Sequence, residues 1–232
     1  MPLTSITAWE LLFDSLNVKE GAGNGKTLLI IGAGGGVGSI LVQLARKLTG
    51  LTVIGNASRT ETREWVSELG THHVIDHCQP LQPQMSDLGH KEVDHVTNLT
   101  HTDTYYEQIV ALLKPERNFA LIDDPSALDA MPLKRKSISL QWEFMFTRSM
   151  YRTKSIFKQH ELLNRVAELI DSKVLNTTNV HFTYVATLKL NLATGIQRRE
   201  HIKKPSPMKR GESNKPSLAH VPEINVRHAC QP

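Results

Sequence analysis

The sequence has little cysteine and no long apolar run. Only Cys78 and Cys230 occur in 232 residues, which argues against a disulfide framework and favours a reducing compartment. No apolar stretch approaches the ~18 residues that a membrane-spanning helix needs. The first residues lack the basic and long apolar regions of a secretory signal. These absences predict a cytoplasmic protein with no membrane span.

Charge is unevenly distributed along the chain. The formal net charge is +4, yet residues 196–232 carry eight Lys and Arg against three Glu, so the remainder is close to neutral. This segment is rich in proline and contains no aromatic side chain between its basic residues. The composition predicts a solvated, disordered tail and no nucleic-acid partner.

A short apolar run that enters a cluster of glycines is the most informative stretch. Residues 27–31 predict a strand, residues 32–38 a tight turn, and the residues after them an amphipathic helix. Gly35 and Gly38 fit an A-x-G-x-x-G or a G-x-x-G-x-x-G spacing, whereas Val37 interrupts the strict G-x-G-x-x-G. Such a turn brings backbone and a helix N-terminus to a pyrophosphate, so it predicts a dinucleotide site. The alternative is a turn that only permits close packing.

A second glycine pattern ends in Gly25-Lys26-Thr27, as a P-loop does. Glu20 stands where a P-loop has its first glycine, and Thr27 opens a strand rather than a helix. We therefore do not expect nucleotide hydrolysis.

The end of the second predicted strand, residues 51–55, bears on the choice between NAD and NADP. Many NAD enzymes place Asp or Glu there, roughly 20 residues beyond the glycine turn. Here the sequence reads Asn56-Ala57-Ser58-Arg59, and arginine after a small hydroxyl suits a 2′-phosphate. The pattern favours NADP(H); the alternative is that Arg59 is an ordinary solvated residue.

Strands and helices continue to alternate, which predicts a parallel sheet with ligands at the carboxyl ends of its strands. The next predicted strands cover residues 72–76, 91–97 and 119–122. Leu99, Thr100, Ile122 and Asp123 lie at or just after strand ends and are expected to face a cofactor. For Asp123 the alternative is a helix or turn cap.

Three histidines, at positions 72, 73 and 77, and Cys78 suggest a metal site at first sight. Neighbouring side chains in a strand point to opposite faces, and no tetrahedral zinc spacing is present. We therefore predict no metal here.

Residues 138–146 place apolar side chains on every second position. They are Ile138, Leu140, Trp142, Phe144 and Phe146. This alternation predicts a sixth, half-buried strand with an aromatic face. The face could be core, the wall of a substrate cleft, or a seam between the two copies of a homodimer; core or seam is preferred.

Several separate motifs, in order, resemble the medium-chain dehydrogenase/reductases. The nearest similarity is to the zinc-type alcohol dehydrogenase-like, quinone oxidoreductase-related subgroup. The motifs lie at residues 3–10, 32–39, 57–59, 69–76, 121–125, 132–137 and 144–149. Together they cover the chain from residue 2 to about residue 180.

The resemblance implies an α/β fold with a Rossmann-type doubly wound parallel sheet of about six strands. It divides the chain into a leading helix and linker (1–26), an NAD(P)-binding domain (27–180) and a divergent, basic, disordered segment (181–232). Resemblance and strand-end patterns together predict the residues that contact NADP(H). These are Thr7, Gly35, Gly36, Val37, Gly38, Ser58, Arg59, Leu99, Thr100, Ile122 and Asp123.

The resemblance also implies hydride transfer between NADP(H) and a small-molecule carbonyl, enone or quinone. No part of the chain matches the family's N-terminal GroES-like catalytic domain, and residues 1–26 lack the cysteine of zinc-dependent members. We therefore expect no zinc, no assignable catalytic residue, and weak or no activity from this chain alone. The alternative is a non-catalytic cofactor-binding or interaction module from an incomplete gene product. Residues 185–232 also depart from the family pattern, as a shifted reading frame would explain.

Overall fold

Six parallel strands form the centre of the molecule, in the order β3-β2-β1-β4-β5-β6. The computed structural model describes residues 1–178. The strands are β1 (Thr27–Ile31), β2 (Thr52–Asn56), β3 (His73–Ile75), β4 (Val93–Asn98), β5 (Leu113–Leu121) and β6 (Ser139–Trp142). The chain builds outward from β1 to β3 and then returns to β4, so the strand order reverses beside β1. Such a reversal opens a crevice at the carboxyl ends of the strands, and the predicted α/β Rossmann-type fold is confirmed.

Helices cover both faces of the sheet. They are α1 (Pro2–Trp9), α2 (Gly36–Leu48), α3 (Thr60–Glu68), α4 (Leu81–Asp87), α5 (Thr102–Leu112), α6 (Met131–Arg135), α7 (Thr147–Met150) and α8 (Phe157–Asp171). A π-helical segment, Glu10–Ser15, continues α1. Within residues 1–178, no helix is long and apolar enough to cross a bilayer.

Strand β1 lies between two apolar cores. Leu28 and Ile30 join the cluster formed by α1, α2 and α8. Leu29 and Ile31 join the cluster formed by α4 and α5. Because both faces of a central parallel strand are covered, its sequence is apolar throughout rather than alternating.

Residues 1–26 pack into the same compact unit as the sheet, which spans Met1–Thr178. Leu11 and Leu12 of the π-helical segment are fully buried in the first core. Thr27 opens β1 as predicted. The segment predicted to be disordered (181–232) and the departure from the family pattern (185–232) lie outside the described residues.

The buried carboxylate of Asp94 holds the amino ends of three strands together. It accepts hydrogen bonds from the Thr27 backbone N–H (3.1 Å) and Lys114 Nζ (2.9 Å), and pairs with Arg117 Nε (3.1 Å). Burial alone would raise the pKa of Asp94. The hydrogen bonds from Lys114 and Thr27 and the charges of Lys114 and Arg117 instead hold this pKa below its usual range.

A second charged cluster ties the π-helical segment to the chain beyond β6. Arg148 pairs with Glu10 (Nη1–Oε1 3.0 Å) and with Asp14, and Gln159 Nε2 donates to Glu10 Oε1 (3.1 Å). Burial, the charge of Glu10 and a hydrogen bond with Glu10 raise the pKa of Glu143 to about 8, against the opposing effect of Arg148. Glu143 is therefore mostly protonated at neutral pH.

The sixth strand is shorter than predicted. The Glu143 N–H still bonds the Leu121 carbonyl (3.0 Å), and the chain then turns, with Thr147 N–H donating to the Phe144 carbonyl (2.9 Å). Trp142 and Phe144 are 56% and 54% exposed. The prediction that this aromatic face is core is wrong: Trp142 is exposed at the end of β6, and Phe144 lies beyond the point where the backbone leaves the sheet. The seam and cleft-wall alternatives stay predictions.

Replacing Asp94 by Asn should destabilise the protein by about 2–3 kcal/mol, because the strand ends lose a charged acceptor that serves three donors. Thermal unfolding followed by circular dichroism measures the effect. Asp87→Asn, at an exposed position at the end of α4, is the matched control and should leave the melting temperature unchanged. Equal stability of the two variants would contradict the role of Asp94.

The Glu143 carboxyl should make stability fall as pH rises. Between its ordinary value of 4.5 and about 8, the folded state holds a proton that the unfolded state has released, so the free energy of unfolding decreases across that window. Solvent screening at this partly exposed group limits the effect to about 1 kcal/mol, a few degrees in melting temperature. Glu143→Gln should flatten the dependence.

Melting curves from about pH 5 to about pH 9 test this linkage. The variant should gain stability relative to wild type progressively as the pH rises through this window, and most at the alkaline end. Glu161→Gln, on the exposed side of α8, should keep the wild-type slope. An unchanged slope in Glu143→Gln would show that another group causes the dependence.

Candidate cofactor-binding site

The glycine turn leaves β1 through a left-handed backbone. Gly32 has φ +88°, a conformation that residues with a Cβ rarely adopt. Its N–H donates to Asn56 Oδ1 at the end of β2 (2.7 Å), and the Gly35 N–H donates to the Gly32 carbonyl (3.0 Å). The turn is thereby joined to the neighbouring strand before α2 begins.

Close packing of α2 on β1 depends on Gly38. A Cβ at this position would lie 2.6 Å from the Ala33 carbonyl oxygen and still closer to that of Gly32. Gly38 is buried under the turn, whereas Gly35 and Gly36 are exposed and Val37 is half-buried. The two interpretations of the glycine pattern therefore apply to different glycines. Gly38 permits packing, while Gly35 and Gly36 present their backbone to solvent.

The N-terminus of α2 is open. Gly35 is its N-cap, no side chain caps it, and no acidic residue lies in its first turn. Its first N–H groups and the partial positive charge of the helix are therefore accessible to an anion.

Helix α1 borders this turn. A Cβ on Gly36 would lie 3.3 Å from Thr4 Cγ2. Thr7, one turn further along α1, is 6% exposed, and its hydroxyl donates to the Leu3 carbonyl (3.3 Å). Of the predicted site residues, Thr7 is the one whose hydroxyl is already occupied within its own helix.

The end of β2 carries a hydroxyl and a guanidinium and no acid. Ser58 is half-buried with its Oγ 3.1 Å from His77 Nε2, and Arg59 is exposed at the start of α3. Arg63 holds the segment in place by donating to the carbonyls of Ala57 (3.0 Å) and Val74 (3.2 Å). The side chain of Arg59 is thus displayed on an anchored loop.

The ends of β4 and β5 lie beside the glycine turn. The Leu99 N–H bonds the Ile31 carbonyl (3.1 Å), and the Ile122 N–H bonds the Asn98 carbonyl (3.3 Å). A Cβ on Gly32 would lie 3.2 Å from Leu99 Cβ and 3.3 Å from Thr100 Cγ2. Leu99, Thr100 and Ile122 are half-buried, so the structure groups them along one edge with the turn.

Asp123 is engaged by the start of α5. Its carboxylate accepts hydrogen bonds from the Thr102 backbone N–H (2.9 Å) and from the Thr102 hydroxyl. Asp123 thus caps the start of α5, which agrees with the helix-cap alternative that the sequence left open for this residue. Contact between Asp123 and a cofactor stays a prediction.

Two asparagines at strand ends were not singled out from the sequence. Asn56 accepts the Gly32 N–H, and Asn98 Nδ2 donates to Thr102 Oγ1 (2.6 Å). Asn98 is fully buried, and its Oδ1 has no hydrogen-bond partner among residues 1–178. The sequence did contain a signal for them, because each asparagine ends a buried strand. An amide side chain can both donate and accept hydrogen bonds, so at such a position it can join neighbouring loops.

The histidines near β3 do not converge on a metal. His72 Nδ1 accepts the Val53 N–H (2.9 Å), while His77 pairs with Ser58. Within the described part of the chain, no group of three or more His, Cys, Asp or Glu side chains is placed to hold an ion.

Two concavities lie outside the glycine turn. One, of about 310 Å³, opens at the amino edge of the sheet beside the buried His95. The other, of about 610 Å³, is a groove between residues 77–83 and α5. The second groove includes His77, which contacts Ser58 at the carboxyl edge that gathers the predicted residues.

Comparison with known proteins agrees with this arrangement. Residues 36–159 match the family described as zinc-binding dehydrogenase. A zinc-type alcohol dehydrogenase-like protein of Staphylococcus epidermidis is 39% identical over 197 residues, which are 80% of this chain and 58% of that protein. The chain therefore spans little more than half the length of this relative.

Solved structures place the same fold in longer proteins. A candidate zinc-dependent alcohol dehydrogenase from Rhizobium etli is 45% identical, with a TM-score of 0.73, over 85% of this chain and 60% of that one. A mycobacterial protein solved with NADPH is 27% identical, with a TM-score of 0.61, over 75% and 52%. The chain belongs to the zinc-binding dehydrogenase family of the medium-chain dehydrogenase/reductases and covers the nucleotide-binding part of that fold.

Proposed function

We propose that this chain binds NADPH along the carboxyl edge of its sheet and serves an oxidoreductase that transfers hydride to or from a small carbonyl, enone or quinone. The observation that carries the proposal is the open N-terminus of α2, where Gly35 and Gly36 are exposed and no side chain caps the helix. The mycobacterial neighbour solved with NADPH supports the same cofactor.

The residues present fit a dinucleotide phosphate. The pyrophosphate would lie against Gly35, Gly36 and the first turn of α2, because free backbone N–H groups and the helix dipole favour an anion there. The 2′-phosphate would lie at Ser58 and Arg59, where the strand end carries no acid to repel it. Asn56 accepts from Gly32, so it orients the turn rather than replacing the missing acid.

The nicotinamide end would lie toward Val37, Leu99 and Ile122. When bound, NADPH supplies the hydride from its nicotinamide ring. These three half-buried side chains would position the ring and exclude water from one side of it. We assign no proton donor among residues 1–178 and propose no zinc site among them. A cytoplasmic location and a homodimer paired through β6 belong to the same proposal.

Arg59→Gln should weaken NADPH binding about tenfold and leave NADH binding unchanged, because only NADPH carries the phosphate that Arg59 would pair with. Fluorescence titration with each nucleotide measures both dissociation constants. Lys91→Gln removes the same charge from an exposed position just before β4 and should change neither. A variant that weakens both nucleotides equally would contradict a 2′-phosphate role.

Turnover separates the enzyme from a cofactor-binding module. The nicotinamide edge is only half-buried, so we expect saturable NADPH binding with quinone- or enal-dependent oxidation slower than about 1 s⁻¹, below ordinary enzyme rates. Loss of NADPH absorbance with each acceptor gives the rate. Turnover within the ordinary range would overturn the expectation of weak activity, binding with no turnover would support the module, and absence of NADPH binding would refute the cofactor proposal.

A further inference from the structure

The cavity of about 310 Å³ lies at the opposite end of β1 from the glycine turn. Its walls come from three stretches that are far apart in the chain: residues 16–26, His95 of β4, and residues 116–118 of β5. A water molecule occupies roughly 30 Å³ in the liquid, so the cavity has room for a molecule of roughly ten non-hydrogen atoms. It can therefore hold a small ligand apart from the proposed cofactor edge.

A buried histidine contributes an unpaired ring to this cavity. His95 is 5% exposed, and its ring forms no hydrogen bond with any of residues 1–178. Nδ1 is fully enclosed, so Nε2 is the ring nitrogen that can meet a ligand in the cavity. A buried polar group without a partner destabilises a protein. A ligand that accepts a hydrogen bond from this ring would remove that cost.

The electrostatic potential at His95 is positive. Burial, followed by the charge of Lys26, lowers the pKa of His95 to about 4. Arg117 and Lys114 act in the same direction, and Asp94 opposes them. The ring is therefore neutral at neutral pH and can donate a hydrogen bond through Nε2. The positive potential favours an anion as the acceptor.

Arg117 is fixed in place beside the cavity. Its Nε donates to Asp94 Oδ1 (3.1 Å), and the side chain is 39% exposed. The two Nη groups form no hydrogen bond or ion pair among residues 1–178. A planar guanidinium that is anchored through Nε keeps its other donors for a second carboxylate.

Two residues of the cavity wall have a left-handed backbone. Asn17 has φ +53° and Glu116 has φ +61°, a region that residues with a Cβ seldom occupy and that recurs at ligand sites. The Glu116 N–H donates to the Lys136 carbonyl (2.8 Å), which holds this turn. Glu116 is the acid among the lining residues, and its side chain is exposed. The cations at the cavity therefore outnumber it.

Apolar side chains form the remaining part of the wall. Leu16 and Val18 are buried, and Ala22 lines the same cavity. Asn118 Nδ2 donates to the Leu16 carbonyl (3.0 Å), so this wall is attached to β5. Cations and a polar ring beside apolar groups suit a ligand that carries both an anionic group and a hydrocarbon part.

We propose that this cavity is a second ligand site, which binds a small organic carboxylate through Lys26, Arg117 and the Nε2 of His95. The inference goes beyond the proposed function, because the cofactor edge lies at the other end of the strands. It also gives a role to Lys26, which belongs to the second glycine pattern, Gly25-Lys26-Thr27, for which nucleotide hydrolysis is not expected.

Binding is tested on the full chain by NMR, with hexanoate as the probe at pH ~7, where carboxylates are ionised. Hexanoate should bind saturably, with a dissociation constant of about 1 mM. It should shift the imidazole resonance of His95, which is identified by its loss in His95→Phe. Hexan-1-ol has the same hydrocarbon chain without the charge and should leave this resonance unchanged.

Charge removal at the cavity should weaken binding. Lys26 is exposed, so Lys26→Gln should fold normally, and it should bind hexanoate about threefold to tenfold more weakly. Lys158→Gln removes the same charge from an exposed position on α8. This matched control should bind hexanoate as wild type does.

The role of the ring is tested by a substitution that separates binding from stability. His95→Phe replaces an unpaired buried polar group by an apolar ring of similar shape, so the melting temperature should stay the same or rise. Hexanoate binding should weaken about fivefold, because the donor to the carboxylate is lost. A purely structural role for His95 would give the reverse result, with lower stability and unchanged affinity.

Saturating NADPH should leave hexanoate binding unchanged. Competition between them would place the carboxylate at the cofactor edge and overturn the inference. A His95 resonance that hexanoate does not shift, an equal response to hexan-1-ol, or wild-type affinity in Lys26→Gln would also overturn it. Inorganic phosphate that binds as tightly as hexanoate would overturn the assignment to an organic carboxylate. Failure of the chain to bind NADPH would refute the proposed function, whereas the hexanoate results decide this inference by themselves.

Discussion

The close approach of α2 to the end of β1 is the contact on which the cofactor edge depends. It requires glycine at position 38, because a Cβ there would overlap the carbonyl oxygens of Gly32 and Ala33. With that approach allowed, the helix begins at Gly36 with its first N–H groups uncapped. The same geometry also needs the left-handed Gly32, whose N–H is held by Asn56. One turn therefore serves two purposes: Gly38 allows α2 to pack on β1, and Gly35 and Gly36 expose the backbone that would bind the cofactor.

The two ends of the sheet are built in opposite ways. At the amino end, Asp94 satisfies a backbone N–H, a lysine and an arginine, which neutralises a buried carboxylate and joins β1, β4 and β5. At the carboxyl end, the side chains of Asn56, Asn98 and Asp123 form hydrogen bonds that fix the loops after the strands. The backbone of the glycine turn and the side chain of Arg59 are left to face solvent. Rigidity at one end and exposed donors at the other are what a preorganised anion site requires.

The stretch between β6 and α8 is held by ion pairs of Arg148 with Glu10 and Asp14 rather than by strand pairing. Glu10, Glu143 and Arg148 connect the π-helical segment to α7, and the protonated state of Glu143 avoids placing two carboxylates side by side. The aromatic side chains that follow β6 are exposed. An apolar surface at a sheet edge is typical of a contact with another protein surface. The prediction that this face forms a seam between two copies of the chain therefore stays open, although the prediction that it is core is wrong.

Much of the fold was predictable because it is local. The apolar run before the glycines, the alternation of strands and helices, and Thr27 as the first residue of β1 follow from neighbouring residues and their periodicity. The glycine turn predicted the dinucleotide site, and the family resemblance added the expectation of hydride transfer. The sixth strand was overextended, because alternation continues in the sequence after the backbone has turned away from the sheet.

The sequence by itself determined the element order, the glycine turn and the Ser58-Arg59 strand end. Only the tertiary structure decided which polar groups meet, because the partners are far apart in the chain. Gly32 and Asn56 are 24 residues apart, Thr102 and Asp123 are 21 apart, and Glu10 and Gln159 are 149 apart. His77 reaches Ser58 only through the register of β2 and β3. Spacing along the chain encodes elements, whereas burial and register, which are properties of the folded chain, select the partners of each side chain.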